Sequence, residues 1–148
     1  MVLAASFISG WEGRELRAYR DIVGVWTICQ GLTEGVRPGD VATVEECDTR
    51  FAAELRKFHD GISACYPGIP ALPDKVQVAY LSLAYNIGIA GFCGSTARRR
   101  AEAGDLPNAC HAMTWWNKVT NSRGQKVVSQ GLMNRRKAEE ALCLEGAR

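Results

Sequence analysis

The chain of 148 residues lacks any apolar run of about 18 residues, the length needed to cross a bilayer. It has only two histidines, His59 and His111, and none of its six cysteines stands in a C-x-x-C arrangement, so a zinc site and a histidine-activated thiol have little support. Residues 1–11 are apolar but carry no basic segment, and Glu12 follows at once, which makes them a poor secretory signal. We therefore expect them to form the first helix, and we expect any signal or signal-anchor segment to lie outside this sequence.

Net charge is low, at +2, but it is unevenly distributed. Residues 1–74 carry 7 basic and 11 acidic residues, whereas residues 75–148 carry 11 basic and 5 acidic residues. The asymmetry is consistent either with solvated faces or with a basic region that binds an anionic polymer such as cell wall or nucleic acid. Charge alone does not distinguish these two interpretations. The length and the 47% hydrophobic composition are enough for one core, so we predict a single domain.

Six cysteines are many for a cytosolic protein of this size. An even count without metal-ligand spacing suggests disulfides and an oxidising compartment, although buried free thiols stay open as an alternative. Six cysteines allow about 15 pairings, and spacing does not select one.

Apolar spacing predicts a mostly helical chain with one small glycine-rich β segment. The first helix, from residue 2 to residue 10 or 12, places four apolar side chains on one face: Leu3, Phe7, Ile8 and Trp11. The β segment covers residues 13–43, and Thr43 with Glu46 forms a capping box that starts a long connecting helix over residues 44–64. Residues 65–148 form a helical lobe, to which the first helix is added, with helices over 75–87, 95–103, 106–116 and 131–144 and a polar connection over 117–131.

The stretch EGRELRAYRDIVGVWTICQG, residues 12–31, is too polar for a buried strand and too broken for one helix. Cleavage of a glycosidic bond commonly uses two carboxyl groups, one protonated and one ionised, held in different environments. Glu12 ends an apolar helix, Asp21 lies in the β segment, and the Thr27 hydroxyl can orient a water. The alternative is a set of solvated charges at a helix-to-sheet turn.

Three motifs, WEGRELRAYRDIVGVWTICQG, AYLSLAYNIG and GLMNRRKAEEALCLEG, resemble the phage-type lysozymes in the order in which that family has them. The resemblance implies an α+β, mainly α, lysozyme-like fold with a small β-hairpin lobe, and hydrolysis of the β-1,4 bond between N-acetylmuramic acid and N-acetylglucosamine in peptidoglycan. It makes Glu12 the general acid, Asp21 the second carboxylate and Thr27 the residue that helps Asp21 to place water. Arg135 matches the family's arginine near the catalytic glutamate, with a surface salt bridge as the alternative.

Two residues depart from the family pattern: Cys29 stands where a glycine is usual, and Leu32 where a histidine is common. Cysteine at this point resembles an exported subgroup of these enzymes. That likeness implies three disulfides: Cys29–Cys47, Cys110–Cys143 and Cys65–Cys93 as the remaining pair. It also implies a phage-encoded protein that acts in the bacterial periplasm or cell wall, as a monomer, without a cofactor, a metal or a nucleic acid partner.

Aromatic side chains stack on sugar rings, which makes three tryptophans candidates for contact with the glycan strands: Trp26, Trp115 and Trp116. Tyr19 and Asn117 are further candidates, and core packing is the favoured role for at least one of the adjacent tryptophans, because neighbours in a helix point in different directions. Two rival functions stay open. A lytic transglycosylase cuts the same bond without water and needs neither Asp21 nor Thr27. A non-enzymatic module that binds cell wall or nucleic acid would use only the basic second half.

Overall fold

The structure, a computed structural model, describes residues 2–148 and divides into two compact units, one ending at Lys57 and the other beginning at Phe58. The first unit contains α1 (Val2–Glu12), β1 (Glu15–Arg20), β2 (Trp26–Cys29) and the first part of α2 (Val44–Cys65). The second contains the rest of α2 and the remaining elements: α3 (Asp74–Ile87), α4 (Ile89–Cys93), α5 (Thr96–Glu102), α6 (Leu106–Ala112), β3 (Lys118–Thr120), β4 (Lys126–Val128), α7 (Gln130–Gly146) and short 3₁₀ helices at Ile69–Ala71 and Met113–Trp115. The predicted α+β, mainly helical class is confirmed, whereas the single domain stays a prediction.

Helix α1 reaches Glu12, the later of its two predicted ends, but its buried face is narrower than predicted. Ala4 and Ile8, four residues apart, are fully buried and form one stripe along the helix. Leu3 and Trp11 are exposed, so the predicted face was wrong at these two positions. The helix is apolar on most sides, and its periodicity alone therefore did not single out the stripe that packs.

Strands β1 and β2 form an antiparallel hairpin in the first unit. Tyr19 lies opposite Thr27, and Arg20 lies opposite Trp26. The connecting loop turns at Gly24, whose φ of +83° is in the left-handed region that favours glycine. This register places Tyr19 and Thr27 across from each other.

Helix α2 starts as the capping box predicted, because the backbone N–H of Glu46 donates to the Thr43 hydroxyl oxygen at 3.1 Å. It ends at Cys65, one residue after the predicted end. Of its apolar side chains at helical spacing, Phe51, Leu55 and Ile62 are buried, and Phe58 is half-buried.

An apolar cluster lies beneath β2 and includes the two residues that depart from the family pattern. Its members are Ile28, Cys29, Leu32, Ala42 and Cys47. Leu32 is only 7% exposed, so apolar packing occupies the position where the family commonly has histidine. The disulfide between Cys29 and Cys47 crosses the same cluster.

Helix α3, predicted over residues 75–87, packs against α7 in the second unit. Most of its length is buried, including a run of seven consecutive residues: Val78, Ala79, Tyr80, Leu81, Ser82, Leu83 and Ala84. Within residues 2–148, no helix is both long and apolar enough to cross a membrane.

Two further disulfides join elements of the second unit. Cys65 at the end of α2 bonds to Cys93 at the end of α4, and Cys110 of α6 bonds to Cys143 of α7. The six cysteines are therefore paired as the family resemblance implies. Each bridge is expected to stabilise the fold by about 2–4 kcal/mol because it restricts the unfolded chain.

A second hairpin corrects the prediction of one β segment and a polar connection over residues 117–131. Strands β3 and β4 pair antiparallel, with Val119 opposite Val127. At the tip, one side-chain oxygen of Asn121 accepts the backbone N–H groups of Arg123 and Gln125, each at 2.9 Å. All six strand positions are exposed. Because neither strand has a buried face, the sequence lacks the alternation of apolar and polar residues that would have predicted these strands.

Candidate active site

Glu12 is the last residue of α1, so its side chain leaves the helix at the C-terminal end. Gly13 ends the helix with a φ of +72°, and its N–H donates to the Ser9 carbonyl oxygen at 2.9 Å. The Glu12 side chain is half-buried, and its Oε2 lies over Gly31. A Cβ atom built on Gly31 would lie 3.2 Å from that oxygen. The absence of a side chain at Gly31 therefore makes room for the Glu12 carboxylate.

Asp21 follows β1 directly and anchors the tip of the first hairpin. Its Oδ1 accepts the backbone N–H groups of Val23, at 3.0 Å, and Val25, at 2.8 Å. Two such bonds fix the orientation of the carboxylate. None of the hydrogen bonds described for Asp21 uses Oδ2, so this second oxygen can face a reactant.

Thr27 is almost completely buried, at 3% exposure, and its hydroxyl donates to the Val25 carbonyl oxygen at 2.9 Å. Because the hydroxyl proton is committed to this bond, the Thr27 oxygen is left to accept a hydrogen bond from another donor, such as water. The Val25 N–H also binds Asp21. One peptide residue thus orients both side chains that the sequence singled out in this hairpin.

Tyr19 reports the electrostatic environment around these residues. Burial raises the pKa of the Tyr19 phenol, and the negative charges of Glu15, Glu12 and Asp21 raise it further. A neighbouring charge changes the pKa of a partly buried group most strongly when it lies close to that group. Both predicted catalytic carboxylates therefore lie in the surroundings of this one phenol, although the two are nine positions apart in sequence.

A polar cluster of Arg14, Gln30 and Asp48 lies at the start of β1. The sequence analysis did not predict it. Gln30 is fully buried, and its side-chain oxygen accepts from Arg14 Nη2 at 2.9 Å and Nε at 3.2 Å when the amide is oriented to satisfy its hydrogen bonds. Arg14 also forms an ion pair with Asp48 of α2. Arg14 and Asp48 are 34 positions apart, so no local spacing could have revealed this cluster.

Trp26, a predicted glycan contact, is half-buried opposite Arg20 in the hairpin. The Arg20 guanidinium lies 5.4 Å from the centre of the Trp26 ring, within the range of a cation–π contact. One face of the ring is therefore covered by a cation.

Arg135 belongs to the second unit and is buried, with 5% exposure. The alternative of a surface salt bridge is therefore wrong. Its Nη2 donates to the Ser82 carbonyl oxygen at 3.1 Å, and its Nε lies 3.3 Å from Oε2 of Glu139. The predicted relation of Arg135 to Glu12, which lies in the other unit, stays a prediction.

Glu139 is the centre of this buried network, which also contains Arg136. The Glu139 carboxylate is completely buried, with its Oε1 at 2.6 Å from Arg136 Nε and its Oε2 accepting from the Ser82 hydroxyl at 2.5 Å. Burial raises the pKa of Glu139, whereas the guanidinium groups of Arg136 and Arg135 and the Ser82 hydroxyl act to lower it. Arg136 Nη1 also donates to the Asn86 side-chain oxygen at 2.9 Å. The network ties α7 to α3.

Trp115 and Trp116 line a cavity of about 720 Å³ in the second unit. Trp115 is 52% exposed and Trp116 is 38% exposed, so core packing is wrong for both. Other lining residues come from the end of α3, the start of α5 and the second hairpin, including Lys118 and Lys126. Asn117 is not part of the described lining. Its backbone carbonyl oxygen accepts the Ser129 N–H at 2.8 Å and closes the base of that hairpin.

The described part of the chain, residues 2–148, contains no group of three or more His, Cys, Asp or Glu side chains that could hold a metal ion. The six cysteines lie in disulfides, so none of them is present as a thiol. The arrangement that remains is an acid at a helix end and a carboxylate and a hydroxyl in one hairpin.

Comparison with known proteins identifies the family of this chain. The family model for phage lysozyme matches residues 9–139. The chain is 44% identical to a SAR-endolysin of Pseudomonas phage phiKMV over 135 residues, which make up 90% of this chain and 81% of that protein. It is 34% identical to a SAR-endolysin of Enterobacteria phage P21, with 99% of this chain and 85% of that protein covered.

Solved structures show the same likeness. An endolysin from Escherichia coli O157:H7 phage FAHEc1 superimposes with a TM-score of 0.86 and 34% identity, covering 96% of this chain and 90% of that chain. The muramidase domain of SpmX from Asticaccaulis excentricus superimposes with a TM-score of 0.87 and 28% identity, covering 97% of this chain and 96% of that chain. The chain belongs to the phage lysozyme family.

Proposed function

We propose that this chain is an endolysin that hydrolyses the β-1,4 bond between N-acetylmuramic acid and N-acetylglucosamine in peptidoglycan and so lyses the bacterial host. The observation that best supports this proposal is the arrangement in the first unit, where Gly31 leaves room for the Glu12 carboxylate and Val25 orients both Asp21 and Thr27. Membership of the phage lysozyme family and the muramidase named among its structural relatives support the same reaction.

In the proposed mechanism, Glu12 is the general acid. Its carboxyl proton passes to the glycosidic oxygen as the bond from that oxygen to C1 of N-acetylmuramic acid breaks, and N-acetylglucosamine leaves with a free 4-hydroxyl. Positive charge develops at C1 in an oxocarbenium-like transition state. A water oxygen then bonds to C1, and its proton goes to Asp21.

The hairpin supplies the position for that water. Asp21 Oδ2 and the Thr27 oxygen are both available as acceptors, because Oδ1 and the hydroxyl proton are committed to Val25. A water that donates to both would attack the sugar from the face opposite Glu12, which inverts the configuration at C1. Inversion is therefore part of the proposal.

The exposed tryptophans of the second unit are proposed to contact the glycan strand. The Arg100 guanidinium lies 4.9 Å from the centre of the Trp115 ring, which orients an exposed ring beside the cavity. Rings presented in this way stack on the apolar faces of sugars, and Lys118 and Lys126 add positive charge beside them. Tyr19 and Trp26 are proposed to take the same role in the first unit.

We further propose that the enzyme acts as a monomer in the periplasm or cell wall after export. Three disulfides suit an oxidising compartment. The relatives at 44% and 34% identity are both named SAR-endolysins.

The decisive test is the chemistry of the new ends after digestion of purified cell walls in heavy-oxygen water. Hydrolysis is expected to leave reducing N-acetylmuramic acid ends that contain one solvent oxygen, released first as the inverted anomer. Anhydro-muramic ends without solvent oxygen would instead identify a lytic transglycosylase and would overturn the hydrolase proposal.

Gly31→Ala tests the placement of Glu12. The added methyl group would crowd the Glu12 carboxylate. The backbone φ of residue 31, +79°, is also disfavoured by about 1–2 kcal/mol for L side chains. We therefore expect kcat to fall by about tenfold or more. Gly35→Ala is the matched control, since Gly35 has a φ of +70° and a Cβ there would meet nothing within 4 Å. Both variants should lose stability in thermal unfolding. Only Gly31→Ala should lose kcat, and equal losses of kcat would contradict the assigned placement.

A further inference from the structure

Cys29 has an unusual backbone conformation. Among residues 2–148 it is the only residue other than glycine with a positive φ, at 58°. This left-handed region is disfavoured for L side chains because Cβ crowds the following carbonyl oxygen, whereas glycine enters it freely. Cys29 therefore holds a conformation that glycine would adopt more readily.

The turn around Cys29 connects two parts of the candidate active site. Ile28 and Leu32 pair across it through two backbone hydrogen bonds, each of 2.9 Å. Thr27 precedes the turn, and Gly31, which makes room for the Glu12 carboxylate, lies within it. A change of conformation at Cys29 would therefore move the Thr27 hydroxyl relative to Gly31, over which the Glu12 carboxylate lies.

The partner of Cys29 is a fixed point. Cys47 lies in the first turn of α2, is fully buried, and donates its backbone N–H to the Thr43 carbonyl oxygen at 3.0 Å. The disulfide therefore ties the turn to a capped helix start.

We propose that the Cys29–Cys47 disulfide is a positioning device for the proposed reaction: it holds Cys29 in the left-handed conformation that glycine would adopt unaided and so keeps Thr27 and Gly31 aligned with Glu12. The inference rests on the proposed glycosidase function. It differs from a purely stabilising role, in which loss of the bridge would lower stability and leave the turnover of the folded enzyme unchanged.

Two double variants separate these roles. Cys29→Ala with Cys47→Ala removes the bridge and keeps an L side chain at the left-handed position. Cys29→Gly with Cys47→Ala removes the same bridge but restores the residue that enters this region freely. We expect kcat of the alanine variant to fall by about tenfold, because the aligned turn becomes a minor conformation, with KM changed by less than about twofold. The glycine variant is expected to regain kcat to within about twofold of the parent.

Unfolding and amide exchange provide readouts that do not depend on activity. Both variants should have a lower Tm than the parent, since both lack the bridge. Slow exchange of the Ile28 and Leu32 amides should be lost in the alanine variant and kept in the glycine variant. Cys110→Ala with Cys143→Ala is the control for loss of a disulfide elsewhere, and it should lower Tm with kcat unchanged.

The outcomes distinguish the inference from the proposed function. Equal kcat in the alanine and glycine variants, whether high or low, would overturn the positioning role, because the conformation at Cys29 would then be irrelevant to turnover. An inactive parent would overturn the proposed function. In that case the exchange of the Ile28 and Leu32 amides still decides whether the bridge holds the turn.

Discussion

Glu12→Gln is expected to reduce the clearing of purified cell walls by about 10²–10⁴-fold, the range that a general acid contributes. Glutamine has nearly the shape of glutamate and fits beside Gly31, but its amide does not give a proton to the leaving oxygen. The effect should therefore fall on kcat, with KM for soluble glycan fragments and the free energy of unfolding close to the parent values. Turbidity of wall suspensions and single-substrate kinetics measure it.

Glu15→Gln is the matched control for this result. Glu15 is exposed on β1, and its charge also acts on the Tyr19 phenol, so the variant removes a neighbouring negative charge without removing the proposed acid. Its activity should stay within about twofold of the parent, as expected for a screened surface charge. Undiminished clearing by Glu12→Gln would remove Glu12 from the role of acid. An equal loss in both variants would indicate a general effect of charge.

Glu139→Gln is expected to destabilise the protein by about 3–5 kcal/mol, because it leaves two buried guanidinium groups, those of Arg135 and Arg136, without their shared anion. Glutamine keeps the volume of the side chain and one acceptor oxygen, so the loss reports the missing charge and not a cavity. Urea unfolding monitored by circular dichroism gives the free energy directly.

The control for this prediction is Glu140→Gln, one position along α7. Glu140 lies 3.0 Å from Nδ1 of the exposed His111, and pairs open to solvent in this way contribute about 0–1 kcal/mol. A loss of less than about 1 kcal/mol for Glu139→Gln as well would show that the buried arginines find other partners, and the network would not be a main source of stability.

The order of the longer helices could be read from the sequence because apolar periodicity and local start or stop signals mark them, whereas the short helix α4 (Ile89–Cys93) was not predicted. The Thr43 capping box placed the start of α2, and the predicted start of the next helix at residue 75 lies within one residue of the start of α3 at Asp74. The hairpin over Lys118–Val128 could not be read in this way, since its six strand residues are all exposed and its turn is made by the side chain of Asn121.

The candidate site was readable only where it is local in sequence. Asp21 and Thr27 belong to one hairpin and are linked through Val25, so their spacing of six is a direct consequence of the turn between them. The contact of Glu12 with Gly31 and the pairing of Arg14 with Asp48 join residues that are distant in sequence. No period or spacing encodes such contacts, because they depend on how separate elements pack.

The sequence by itself determined the order of the longer helices, the family motifs and the residue types of the proposed acid, the proposed second carboxylate and the proposed water-binding hydroxyl. Those features depend on local hydrogen bonds and on apolar periodicity, which act over a few residues. Only the tertiary structure decided that Cys29 takes a left-handed conformation beside the site and that Arg135 is buried with Glu139. Both results depend on packing, since the burial of a charge and the strain at a turn arise from neighbours brought together by the fold.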